Sequence, residues 1–236
     1  MGDNNDKMPT ASIRGLSESE KQVYWQNLWQ NDKAWFHMSD AHPDMLKFQD
    51  QFLRDNCRVY LPLCGKSVDL KHLADKGHEV VGCEYCEVAI LQFFEEQSIK
   101  YERYQHPTAP YEIFKATDKN ITIYKGDFFA LGSSVMGKVD AIWDRGSFVA
   151  IDPTRRCEYA DVIYDIMNTN GKYLLYSVDY VGNISGTPYN VQAQEINDIF
   201  GQKFVATTLD IYDLNLSGPL DVSKATVYMT LLKPCA

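Results

Sequence analysis

The segment RVYLPLCGKSVDLKHLADKGHEVVGCE, residues 58–84, contains the pattern that decides the fold. A short apolar strand from Arg58 to Leu63 is followed by a turn, and then by a helix that Ser67 can cap and that Gly77 ends. A second apolar strand runs from Glu79 to Cys83. A strand, a helix and a strand at this spacing predict a parallel βαβ unit.

The rest of the chain repeats this alternation. Ahead of the quoted segment, a capping box from Ser17 to Glu20 predicts one helix, and Pro43 predicts a second that runs through Phe52. The last two predicted strands have no helix between them, which indicates an antiparallel hairpin at one edge. We therefore expect an α/β fold: a doubly wound, Rossmann-like, mostly parallel sheet of seven strands. The remaining predicted strands are 121–124, 139–143, 172–178, 205–212 and 225–232, and the remaining helices are 87–97, 153–167 and 192–200.

Length and charge narrow the class of protein. The chain has 236 residues, of which 45% are hydrophobic, enough for one α/β domain with a large core. We expect residues 1–15 to form a disordered tail and residues 16–236 to form the single domain. The net charge of −9 disfavours nucleic acid as a partner, because an acidic surface repels phosphates. No apolar run is long enough to cross a membrane, and the polar N-terminus lacks the apolar stretch of a secretory signal.

The spacing of the cysteines does not indicate stabilising disulfide bonds. Cys83 and Cys86 form a lone CxxC, whereas a structural zinc site normally needs a second pair; a thioredoxin-like role remains an alternative. The simpler interpretation places Cys83 at the end of a strand and Cys86 at the start of a helix. We expect a reducing, cytoplasmic location and a monomer. The other cysteines are scattered at Cys57, Cys64, Cys157 and Cys235.

In a doubly wound sheet, ligands bind beyond the carboxyl ends of the strands, so the residues there are the candidates for a site. The first strand is followed by Gly65-Lys66-Ser67, but Tyr60 stands where a phosphate-binding P-loop needs glycine. The turn also lacks the three glycines of a nicotinamide site. A single Gly65 allows close backbone approach by a ligand without a phosphate, which favours S-adenosylmethionine. Alternatively, Gly65 only makes the turn.

Acidic residues follow the next two strands. Glu84 stands nineteen positions after Gly65, where a carboxylate can accept hydrogen bonds from both ribose hydroxyls; alternatively it is an acid favoured by a helix N-terminus. After the third strand, Asp127 can accept from an adenine amino group. Phe128 either stacks on that ring or belongs to the core, and for Phe129 we expect the core.

The fourth strand ends in a charged pair, Asp144-Arg145. Arg145 can meet the methionine carboxylate of the cofactor, or polarise a substrate near the reacting sulfur. The alternative is a structural interaction between Asp144 and Arg145.

Taken together, these segments resemble the thiopurine S-methyltransferase family over roughly residues 20–232. The combination of LPLCGK (61–66) with IWDRG (142–146) is the specific part of the resemblance, since neither alone would suffice. The resemblance implies a metal-independent, cytoplasmic enzyme that uses S-adenosylmethionine and releases S-adenosylhomocysteine. The other matching segments are Trp25-x-x-x-Trp29, Trp35-Phe36-His37, Asp75 to Gly82 before Glu84, Val149-Ala-Ile151, Gly186-Thr-Pro-Tyr189 and Glu195 to Gly201.

The resemblance also implies site residues. The N-terminal helices would form a lid, with Phe36 and Arg145 beside the substrate and Arg145 as the catalytic residue. His37 follows Phe36 and can also face the pocket. With Gly65 from the turn, the implied cofactor-binding set is Trp25, Trp29, Phe36, Leu63, Glu84, Asp127, Phe128 and Arg145.

The expected reaction is direct in-line displacement, in which the sulfur of a small thiol or thiopurine-like acceptor attacks the methyl group. Asp144 or His37 could accept a proton from less acidic thiols. Residues 214–224 hold neither arginine nor tryptophan, whereas the family has a basic, tryptophan-containing segment there; Lys224 could supply only a point charge. A halide or thiocyanate methyltransferase and a catalytically silent cofactor-binding protein therefore stay open as alternatives.

Overall fold

The structure, a computed structural model, describes residues 13, 15–182, 184, 186–214 and 222–235. Most of the tail expected at 1–15 lies outside these residues. So does part of segment 214–224, which lacks the arginine and tryptophan of the family. The helices are α1 (Glu18–Gln30), α2 (Pro43–Phe52), α3 (Asp69–Asp75), α4 (Glu87–Glu96), α5 (Ser133–Met136), α6 (Arg156–Ile166) and α7 (Ala193–Phe200). The strands are β1 (Arg58–Leu61), β2 (Glu79–Glu84), β3 (Tyr101–Gln105), β4 (Glu112–Ala116), β5 (Ile121–Lys125), β6 (Val139–Arg145), β7 (Met167–Gly182), β8 (Phe204–Leu214) and β9 (Val222–Pro234).

The strands form one mixed sheet in the order β3-β4-β5-β2-β1-β6-β7-β9-β8. The central strands β5, β2, β1, β6 and β7 are parallel, and β8 and β9 form the expected antiparallel hairpin at one edge. Among the described residues the sheet has nine strands, so the expectation of seven is wrong. The two additional strands, β3 and β4, pair antiparallel at the opposite edge.

The missed strands carry weak sequence signals. In β3, YERYQ, four of five residues are exposed, so the strand has no apolar face to reveal it. In β4, EIFKA, only three residues are buried. The extension is held by the backbone pairing of β4 to β5 and of β3 to β4. Only the outer strand β3 has the polar, water-facing sequence of a sheet edge, whereas β4 offers just the short apolar run Ile113-Phe114 as a signal.

The two faces of the sheet have separate cores. On one face, β1 and β2 pack against α2, α3 and α4, through side chains such as Phe48, Leu70 and Phe93. On the other face, β6 and β7 pack against α6 and α7, through side chains such as Ile163 and Phe200. The sheet is mixed, with five parallel strands at its centre and antiparallel strands on both sides, and helices on both of its faces are the expected doubly wound arrangement.

Helix α1 begins at the predicted capping box: Ser17 N–H donates to Glu20 Oε2 at 2.7 Å, and Ser17 Oγ accepts from Glu20 N–H at 3.4 Å. The helix then packs over the start of α4, where Trp29 and Ala34 join Cys86 and Ala89 in a small apolar cluster. Cys83 lies in β2 and Cys86 precedes α4, so the simpler interpretation of the CxxC pair is confirmed. No helix among the described residues is long and apolar enough to cross a membrane.

Candidate active site

The turn after β1 has an unusual backbone. Leu63 and Gly65 both have positive φ, at 41° and 52°, and for leucine this left-handed conformation costs on the order of 1 kcal/mol. An ideal Cβ on Gly65 would lie 2.7 Å from Cζ2 of Trp29. The indole of α1 therefore packs directly on the backbone of this turn, and only glycine leaves room for it.

Glu84, at the end of β2, joins this turn to the next helix. Its Oε2 accepts from the N–H of Gly65 at 2.8 Å, and its Oε1 accepts from the N–H groups of Tyr85 and Cys86 at 2.8 and 2.7 Å. Only 7% of the residue is exposed, and burial raises the pKa of its carboxyl while the three backbone donors oppose that rise. The carboxylate is thus fixed in orientation beside the turn.

Three residues after β5 lie at the same edge of the sheet. Asp127 is exposed, and its Oδ1 accepts from the N–H of Phe129 at 2.9 Å. Phe128 is buried and stacks on Tyr159 of α6, with ring centroids 4.5 Å apart. Phe129 is partly buried: it packs against the core on the α6 side and also lines the cavity, so the expectation that it is a core residue holds only in part. It lies one position beyond Phe128, where the short turn points it outward.

Asp144 is fully buried and has four hydrogen-bond donors. Tyr159 Oη and Tyr173 Oη donate to its Oδ2 at 2.5 and 2.7 Å, and the N–H groups of Ser147 and Phe148 donate to its Oδ1 at 3.3 and 3.1 Å. Burial raises the pKa of this carboxyl, and the four donors oppose the rise. Asp144 therefore ties β6 to α6 and β7.

The side chain of Arg145 points away from Asp144, towards the segment that follows α1. Its Nη1 donates to the carbonyl oxygen of Phe36 at 2.5 Å, which connects the end of β6 with the segment after α1. Asp144 and Arg145, both of which the structure describes, form no ion pair with each other, so that alternative is wrong. Burial lowers the pKa of Arg145, but a guanidinium remains charged in proteins.

A polar group that sequence reasoning missed lies next to Arg145. His42 packs its ring against Trp143 and Tyr176, with centroids 5.5 and 5.3 Å apart. Its backbone N–H donates to Asp69 Oδ1 at 2.8 Å, and Trp143 Nε1 donates to Asp69 Oδ2 at 2.8 Å. Burial lowers the pKa of His42 to about 4, with a further lowering from Arg145. The imidazole is therefore neutral at pH 7.

The predicted residues surround one cavity of about 380 Å³ at the carboxyl ends of the strands. Gly65 lines a smaller cavity of about 60 Å³ next to it. Trp29, Phe36, Leu63 and Arg145 line both. The large cavity is also lined by Trp25, Glu84, Asp127 and Phe128, so the structure brings all nine predicted site residues together.

The remaining wall of the large cavity is mainly apolar and aromatic. Arg155 also lines it, a residue that no motif had singled out, and its guanidinium carbon lies 3.4 Å from the centroid of the Phe129 ring. Lys224 does not line the cavity; its side chain is 60% exposed and its Nζ lies 3.5 Å from Asp213 Oδ1. Much of this wall comes from Ile151, Tyr176, Val178, Tyr180, Ile184, Pro188, Tyr189, Leu214, Val222 and Ala225.

Comparison with solved structures agrees with this architecture. The 1,6-didemethyltoxoflavin-N1-methyltransferase of Burkholderia thailandensis, solved with S-adenosylhomocysteine, superposes with a TM-score of 0.63 at 12% identity, over 92% of this chain and 91% of that one. TehB of Haemophilus influenzae gives a TM-score of 0.59 at 15% identity, over 90% and 66% of the two chains. The fold is that of the S-adenosylmethionine-dependent methyltransferases.

Sequence comparison assigns the chain to a particular family with this fold. The family model of thiopurine S-methyltransferase matches residues 20–227. Thiopurine S-methyltransferase of Bos taurus is 39% identical over 210 residues, which cover 85% of each chain, and a probable thiopurine S-methyltransferase of Danio rerio is 39% identical over 181 residues, 75% and 78% of the two chains. The chain belongs to the thiopurine S-methyltransferase family, whose members are enzymes that methylate sulfur with S-adenosylmethionine.

Proposed function

We propose that this enzyme methylates the sulfur of a small thiol or thiopurine-like acceptor, with the cofactor lying across the carboxyl ends of β5, β2, β1 and β6. The observation that carries the proposal is the convergence of nine residues, predicted from separate motifs, on two adjoining cavities. Their order along the sheet follows the strand order, from Asp127 through Glu84 and Gly65 to Arg145.

The residues fit the nucleoside part of S-adenosylmethionine. Glu84 Oε2 accepts one backbone hydrogen bond, which leaves that oxygen an acceptor position for a ribose hydroxyl. Asp127 is exposed and uses Oδ1 in its own turn, so Oδ2 is the acceptor for the adenine amino group. Gly65 would clash with Trp29 if it carried a Cβ, which shows how closely this cradle is packed.

Arg145 and the smaller cavity fit the amino-acid part. The smaller cavity is lined by the turn from Leu63 to Asp69 and by polar groups such as His42. Arg145, at its border with the large cavity, supplies the positive charge for a carboxylate. When bound, the cofactor supplies a methyl group that the positive charge of its sulfonium already activates.

The large cavity fits an acceptor with an apolar body. Its wall beyond Arg145 is formed mainly by apolar and aromatic side chains from β7, β9, Ile184 and residues 187–189. Arg145 favours the thiolate form of the acceptor electrostatically. Asp144 already accepts four hydrogen bonds, so we assign it no role as a base. Trp25, Trp29 and Phe36 would act as a lid that excludes water.

The test is transfer of a labelled methyl group from S-adenosylmethionine to a panel of acceptors: thiophenol, 6-mercaptopurine, 2-mercaptoethanol and iodide. We expect the two aromatic thiols to be methylated faster than 2-mercaptoethanol, because they ionise more readily and fill the apolar wall, and we expect no methyl iodide. Glu102→Gln, on the exposed strand β3, is the control variant and should match the wild type.

Two other results would contradict the proposal. Methylation of iodide without any thiol product would make the protein a halide methyltransferase. Binding of S-adenosylhomocysteine without transfer to any acceptor of the panel would indicate a silent cofactor-binding protein.

A further inference from the structure

Arg155 stacks on Phe129 at the wall of the large cavity. The guanidinium carbon lies 3.4 Å from the ring centroid, within the distance at which a cation is attracted to the face of an aromatic ring. The side chain is 31% exposed. Phe129 packs against the core on the α6 and α7 side of the sheet, and both residues line the large cavity, so their stack joins that core to the cavity surface.

The stack is held in one orientation by Glu158, one turn further along. Arg155 Nε donates to Glu158 Oε2 at 2.9 Å, and Arg155 Nη2 donates to Glu158 Oε1 at 3.0 Å. Such a two-point pair fixes the plane of the guanidinium. Arg155 also closes the short turn that Asp152 caps through the N–H of Thr154, so its backbone is fixed as well.

The position along the sheet identifies what this plane faces. The strand order is β5-β2-β1-β6, and our proposed function places ribose at Glu84, on β2. The side towards β1 leads, past Leu63 and the indole of Trp29, to the smaller cavity, which the proposed function gives to the amino-acid end of the cofactor. The base must therefore extend towards β5, where Phe128 and Phe129 follow the strand.

We propose that Arg155 binds the cofactor by stacking its guanidinium plane against the adenine base, with Phe129 supporting it from behind. This inference rests on the proposed function, since it requires an adenine-containing cofactor in the large cavity. The planar, delocalised guanidinium suits a flat base, and lysine would not replace it, because an ammonium group has no plane to stack. Arg155 then selects for the base and takes no part in the acceptor site.

The experiment is calorimetric binding of S-adenosylhomocysteine to the wild type, Arg155→Met, Arg155→Lys and the control Glu102→Gln. We expect both Arg155 variants to bind about threefold to tenfold more weakly, and Glu102→Gln to bind like the wild type. We expect the same loss for 5′-methylthioadenosine, which keeps the base and ribose but lacks the amino-acid end. Thermal unfolding of each variant shows that the fold is kept.

Three outcomes would overturn the inference. The first is an Arg155→Met variant whose dissociation constant for S-adenosylhomocysteine stays within twofold of the wild-type value. Arg155→Lys could retain full affinity, which would indicate charge without stacking. The loss could also be confined to S-adenosylhomocysteine and spare 5′-methylthioadenosine. A wild type that binds neither ligand would instead refute the proposed function.

Discussion

At the scale of single residues, Asp144 and Arg145 show how neighbours in sequence can have different tasks. Asp144 is enclosed by two tyrosine hydroxyls and two backbone donors, and it holds three elements together. Arg145 reaches the border between the two cavities and binds the carbonyl oxygen of Phe36. Loss of Asp144 should therefore affect the fold, and loss of Arg145 should affect the reaction.

We predict that Arg145→Ala lowers kcat/KM by about 10-fold to 100-fold while the protein remains folded. The loss should be larger for 2-mercaptoethanol than for thiophenol, because the weaker acid depends more on a positive charge to form its thiolate. Steady-state kinetics with both thiols, alongside thermal unfolding, measure this. The Arg145→Lys variant keeps a positive charge without the planar fork, so its kcat/KM should lie between the values of the wild type and Arg145→Ala. Unchanged turnover in a folded Arg145→Ala variant would remove Arg145 from the reaction.

How far sequence alone predicts the site depends on how local each signal is. The placement of Glu84, Asp127 and Arg145 around the cavity could be predicted, because each lies at or just beyond the end of an apolar strand and the strand ends share one edge. The donors to Asp144 could not be predicted, since Tyr159 and Tyr173 come from elements 15 and 29 residues further along the chain. Phe129 was expected only in the core, whereas it packs against the core and also lines the cavity, because an aromatic residue after a strand has the same signal in both positions.

At the scale of elements, α1 packs directly on the turn after β1, through the indole of Trp29. We predict that Gly65→Ala weakens binding of S-adenosylhomocysteine by at least about 10-fold, because the added Cβ meets the indole of Trp29 and the backbone has positive φ. Trp29→Phe removes the ring atoms that clash. The same Gly65→Ala change should therefore cost less in a Trp29→Phe background.

A double-mutant cycle measured by calorimetry separates the two causes. The strain of positive φ is present in both backgrounds and cancels, so the coupling reports only the contact with the indole. Strictly additive effects of the two changes would show that α1 does not press on the turn in solution. A favourable coupling would support the proposed lid.

The strands and helices differ in how well they can be predicted from their sequences. The seven strands expected from apolar runs are all present. For the five parallel strands among them the reason is that buried parallel strands must be apolar on both faces. The edge strand β3 was missed because four of its five residues are exposed, and its neighbour β4 was missed because its apolar run, Ile113-Phe114, is short. Strand β7 begins at Met167, directly after α6, whereas the sequence suggested a helix end and a gap before residue 172.

At the scale of the whole molecule, the sheet separates two cores and leaves one edge for chemistry. Because helices cover both faces of the sheet, the surface accessible to a ligand is the carboxyl edge of the central strands. Both described cavities lie there. The proposed acceptor side of this edge is built from β7, β9, Ile184 and residues 187–189, which meet only after the chain has folded. For that reason the sequence predicted the cofactor better than the acceptor.

The central claim is that this one edge holds S-adenosylmethionine, with Glu84 on its ribose. The measurement that tests it most directly is calorimetric titration of S-adenosylhomocysteine into the wild type, Glu84→Ala, Glu84→Gln and the surface control Glu102→Gln. Binding by the wild type and by Glu102→Gln, lost or weakened at least about 10-fold in both Glu84 variants, is the predicted result. No binding by a well-folded wild type, or equal binding by folded Glu84 variants, would contradict it.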